Sequence, residues 1–89
     1  MNGKYIRNRS FLCEDLGDGV LLLNTTGNQV IEMNQTGALL WRRLDRPALW
    51  NELVEELKSH YPDENGDKLE ADVNAFLKKA TACKAIEEL

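Results

Sequence analysis

The sequence predicts an α+β domain in which a three-stranded antiparallel meander precedes three helices. Short apolar runs in the first third are separated by glycine-containing turns, and the apolar spacing changes to that of a helix after Asn34. Further along, Pro47 and the stretch PDENGD divide the remainder into two more helices. At 89 residues the chain reads as a single domain, residues 1–89, with room for one core.

The runs SFLCEDL, VLLLN and QVIEM are the three strands. Between them GDG and TTGN form tight turns, with Gly17, Gly19 and Gly27 expected to supply positive φ. Asn34 has the side chain of a helix N-cap, Gln35 opens the first turn, and Met33 is placed to staple against the first apolar residues of that helix. Leu40, Trp41 and Leu44 recur at helical spacing.

Pro47 is tolerated only in a first helical turn, so the second helix is expected from about Ala48 to His60. Its apolar stripe is Trp50, Leu53, Val54 and Leu57. Asp67 followed by Glu70 has the spacing of a capping box and is expected to open the third helix. There Leu69, Val73, Phe76, Leu77 and Ala80 keep helical spacing, and Ile86 closes the core.

Composition narrows the function. Hydrophobic residues make up 43% and charged residues 29%, the balance of a globular domain. A formal net charge of -4 disfavours a nucleic-acid partner, whose phosphates demand accumulated Lys and Arg. The longest aliphatic run, Val20 to Leu23, is far short of the roughly 20 residues of a membrane helix, so no membrane partner is expected. The start MNGKYIRNRS lacks the apolar core of a secretion signal, which points to the cytoplasm. Cys13 and Cys83 fall in different elements without Cys-x-x-Cys spacing and read as reduced packing residues.

No constellation for chemistry emerges, and neither a metal nor a cofactor is expected. Asp63, Asn65 and Asp67 occupy the first, third and fifth positions of a calcium loop, but Gly66 stands at the fourth position instead of the sixth, and the twelfth is Asn74 where a bidentate Glu is needed. His60 is the only histidine, at the end of the second helix, with no Cys near it in sequence. Ser10 and Ser59 have no base at a motif spacing, and Glu55 and Glu56 have the pattern of a wet helix face. Lys78, Lys79 and Lys84 raise the alternative of a winged-helix nucleic-acid binder, although Glu70, Asp72, Glu87 and Glu88 flank them.

What remains is the strand QVIEM. The third strand of a meander lies at a sheet edge unless something covers it, and its unpaired N–H and C=O groups are a template for another chain. This strand has no Pro and no Lys, so it is either scaffold or a docking edge for a peptide strand.

The stretch DGVLLLNTTGNQVIEMNQTGALLWRRL, followed by ADVNAFLKKATACKAIEEL, resembles the PqqD family, small recognition elements that bind leader peptides of ribosomally made, post-translationally modified peptides. The resemblance spans roughly Gly17 to Ile86, and its most specific part is EMNQTGALLW, with Met33, Asn34, Thr36, Gly37 and Trp41 on the family's Leu-Asn-x-Thr-Gly-x-x-x-Trp-like pattern. Asp72 and Val73, with Phe76 and Leu77, form a second match.

The resemblance implies a winged-helix-like fold and a non-catalytic role. The leader peptide would add as a fourth, antiparallel strand beside Asn28, Gln29, Val30, Ile31, Glu32 and Met33. Its apolar side chains would enter a cleft walled by Asp72, Val73, Phe76, Leu77, Lys79 and Ala80 of the third helix. The implied second partner is a modifying enzyme: a radical-SAM enzyme, a leader peptidase of the cysteine-protease kind, or another maturase. Where the family often has Gly before the last apolar pair, this chain has Ala85 before Ile86, so the final turn is expected to continue as helix.

Overall fold

The computed structural model describes residues 3–25 and 28–89. The expected meander consists of β2 (Phe11–Asp15), β3 (Gly19–Asn24) and β4 (Val30–Asn34), paired antiparallel with β3 in the centre. Alternation along β3 buries Val20 and Leu22 completely, and the same face of β4 buries Ile31 and Met33. Helix α1 (Gln35–Arg43) packs on that face against β3 and β4.

The glycines divide in role. Gly17 has the expected positive φ of 90°, whereas Gly19 has no positive φ and is needed for close approach. A Cβ at Gly19 would collide with the Met33 carbonyl oxygen of β4. Gly27 lies outside the described residues.

Asn34 caps α1 as expected, its Oδ1 accepting the Gly37 N–H at 2.9 Å. Met33 is held against the first turn of α1, since a Cβ at Gly37 would lie 3.1 Å from Met33 Cβ. The strand therefore passes into the helix without a loop.

A second sheet was not legible in the sequence. β1 (Lys4–Arg7) lies between β5 (Ala48–Leu49) and β6 (Ile86–Glu88), antiparallel to both. Ala48 and Leu49 pair with Tyr5 and Lys4, so α2 runs Trp50–His60 and starts later than helical spacing suggested. Sheet pairing takes these two residues, and the Glu52 carboxylate accepts the Leu49 N–H at 2.8 Å as the helix begins.

The third helix, α3, spans Gly66–Ala82 and is capped by Asn65, not by Asp67. Asn65 Oδ1 accepts the Asp67 N–H at 2.7 Å, which leaves Asp67 in the first turn, where its charge favours the helix dipole. The helix also ends earlier than expected. Lys84 takes a left-handed conformation, φ 64°, and donates its N–H to Thr81 O at 3.1 Å while Ala85 N–H reaches Ala80 O at 2.9 Å. This is the Schellman arrangement, with Lys84 in the place that Gly usually fills, and it turns Ile86 into β6.

One core unites the sheets and helices. Trp41, Leu44, Leu53, Leu57, Leu69 and Ile86 are at most 2% exposed. Arg7 of β1 stacks over Trp41, its guanidinium carbon 5.6 Å from the ring centroid.

Candidate functional site

Among the described residues β4 pairs with one strand only, β3. Asn24 N–H donates to Gln29 O at 2.9 Å, so that opposed pair is of the hydrogen-bonded kind. Antiparallel pairs alternate, and the register places Ile31 opposite Leu22 and Met33 opposite Val20 as the next bonded pairs. Leu16 N–H reaches Gly19 O at 2.9 Å on the far side of β3, which fits the same alternation. The N–H and C=O groups of Val30 and Glu32 therefore point outward, along the free edge.

That edge opens onto a cleft. Met33, Asn34, Thr36 and Gly37 form one wall, and Lys68, Asp72, Ala75, Phe76 and Lys79 of α3 form the other, enclosing about 290 Å³. Met33 and Phe76 are 5% and 7% exposed, so they present small apolar areas at the bottom of the cleft. A further cavity of about 180 Å³ shares Asn34, Thr36, Lys68 and Asp72 and extends the cleft to Tyr61, Glu64 and Leu69.

Charge in the cleft is uneven. Lys68 Nζ lies 3.1 Å from Asp72 Oδ2, and this hydrogen bond, with the carboxylate's charge, raises the Lys68 pKa above its ordinary value. The two side chains thus occupy one another. Lys79 has no ion pair among the described residues; its Nζ donates to the Glu32 carbonyl at 3.4 Å, bridging α3 and β4.

The residues expected from the sequence are only partly brought together. Asn28 and Gln29 precede β4, Asn28 with a positive φ of 55°. Val30 and Glu32 supply the outward backbone groups, and Val30 is 60% exposed. Ile31 turns its side chain into the core. Met33, Asp72, Phe76 and Lys79 line the cleft.

Val73 and Ala80 are fully buried and belong to the core beneath the cleft. Leu77 lines a different cavity, of about 460 Å³, with Tyr5 and Ile86. Asn34, Thr36, Gly37, Lys68 and Ala75 line the cleft and were not picked out as contact residues from the sequence. Their signal was the helical spacing of 68, 72, 75, 76 and 79, a face beside the apolar stripe and not the stripe itself.

Among the described residues no group of His, Cys, Asp and Glu could hold a metal ion, and no helix is long and apolar enough to cross a membrane. His60 pairs with Glu56 at 3.1 Å on an exposed face of α2. Cys13 and Cys83 are free thiols, the first exposed and the second half-buried with Sγ 3.5 Å from Ala80 O.

Comparison with known proteins gives two findings. The model of the family described as PqqD, Coenzyme PQQ synthesis protein D, matches residues 19–86. Among solved structures the chain is similar to "TbiB1 in Complex with the TbiA(beta) Leader Peptide", with a TM-score of 0.80 and 18% sequence identity over 94% of this chain and 96% of that one. At that identity the likeness is one of fold. No curated protein matches the chain.

Proposed function

The chain belongs to the PqqD family, and we propose that it binds the leader peptide of a ribosomally made, post-translationally modified peptide and presents the precursor to a modifying enzyme. The observation that carries this is the free edge of β4, whose Val30 and Glu32 backbone groups point away from β3, beside a cleft between Met33 and α3. A leader segment adds there as a fourth strand and sets its side chains against Met33 and Phe76. The fold likeness to a protein described in complex with a leader peptide supports the same reading.

The energetics assign separate tasks to backbone and pocket. Val30 and Glu32 offer four outward main-chain groups. At about 0.5–1.5 kcal/mol net per bond, these supply about 2–6 kcal/mol before the cost of association. A micromolar complex needs about 8 kcal/mol. The cleft therefore has to contribute, and its apolar bottom is where leaders are told apart.

The protein itself performs no chemistry in this reading. It works in the cytoplasm by raising the effective concentration of the precursor beside a radical-SAM enzyme, a leader peptidase or another maturase. A nucleic-acid role finds no support. The net charge is -4, and Lys78 lines a cavity with Glu87 and Glu88 while Lys79 reaches across to β4.

The test is an NMR titration of the labelled protein with candidate leader peptides. Saturable shifts are expected at the Val30 and Glu32 amides and along Lys68, Asp72, Phe76 and Lys79. A leader that binds while leaving all of these unmoved would overturn the proposed mode.

A further inference from the structure

Lys79 occupies a group that an incoming strand needs. The register turns the Glu32 carbonyl outward, and the Lys79 ammonium bonds to it. Such a charge laid along a free edge opposes pairing with a second copy of the same strand, because two β4 edges would bring two ammonium groups together.

We propose that Lys79 guards the β4 edge when the cleft is empty and, once displaced, selects peptides that carry a carboxylate beside the residue bonded to Glu32. This rests on the strand-addition reading above and adds to it the chemistry of the ligand. A peptide N–H that takes the Glu32 carbonyl expels Nζ into the cleft mouth. Asp72 of the cleft wall is already paired with Lys68, and no carboxylate pairs with Lys79 among the described residues. A glutamate or aspartate on the peptide supplies one, and the resulting bond is charge-assisted. A peptide without one leaves the displaced charge to water alone.

Lys79 is exposed on α3, and methionine is a good helix former, so Lys79→Met is expected to fold. In the unliganded protein this variant should shift the Met33 amide, which shares its peptide plane with the Glu32 carbonyl. An unmoved Met33 amide would remove the guard.

Selection is tested with nine-residue synthetic peptides of alternating leucine and serine, in which one residue at a time is replaced by glutamate, and with a matched glutamine series. At one position the glutamate peptide should bind roughly three- to tenfold tighter than its glutamine counterpart. The difference should vanish in Lys79→Met and persist in Lys79→Arg. If the Val30 and Glu32 amides respond equally to both series at every position, strand addition stands and selection by Lys79 is wrong. If those amides respond to no peptide of either series, the strand-addition reading fails, and selection with it.

Discussion

Val30 and Ile31 are neighbours with opposite backbone duties. Val30→Pro removes a donor that points outward from the sheet edge and is expected to weaken peptide binding while leaving the fold, read by titration and by circular dichroism. Ile31→Pro removes a donor to β3 and should lower the thermal midpoint sharply instead. Lys84 makes a different point. It holds a left-handed conformation that costs an L-residue about 1 kcal/mol or more, so Lys84→Gly should raise stability, by a few degrees in a thermal melt. At this scale the sequence was readable where a side chain acts on its own backbone, as the Asn34 cap does. It was silent on which of Val30 and Ile31 faces outward, because register decides that. The third-helix cap misled, since Asn65 and Asp67 can both accept a first-turn N–H and Asn65 is the one that does.

Helix α3 presents one face to the core and an adjacent face to the cleft. Apolar spacing made the core face legible, and Val73 and Ala80, which the family resemblance placed in the cleft wall, are fully buried on that core face. The cleft face mixes Lys, Asp, Ala and Phe, and a mixed stripe looks like any solvated helix side. Ala75 separates the two roles: it is exposed and lines the cleft. Ala75→Glu should leave stability within about 0.5 kcal/mol and reduce leader affinity by roughly tenfold or more, measured by calorimetric titration. Phe76→Ala discriminates less well, because the loss of a buried aromatic costs about 3–5 kcal/mol in stability as well.

At the scale of the whole molecule, β1 ties distant parts of the chain together. It pairs with β5 ahead of α2 and with β6 after α3, Arg7 N–H reaches Leu44 O at 3.1 Å, and Asn8 Nδ2 holds the Lys84 carbonyl at 2.9 Å. Removal of residues 1–7 is therefore expected to lower the thermal midpoint and to loosen α3, so that leader binding weakens although no cleft residue changes. The meander and three helices were legible because each has local signals of period and turn. The second sheet was not, because strands of four, two and three residues are too short for periodicity and exist only through one another.

The brevity of the free edge on β4 also sets a time scale. A grip of two outward residues supplemented by a shallow cleft suits micromolar affinity, and with association near 10⁵–10⁷ per molar per second this gives dissociation at roughly 0.1–10 per second. A leader held in this way leaves within seconds. One copy of the protein would then serve many precursors in turn, and the modifying enzyme would have to act within each brief visit or wait for the next.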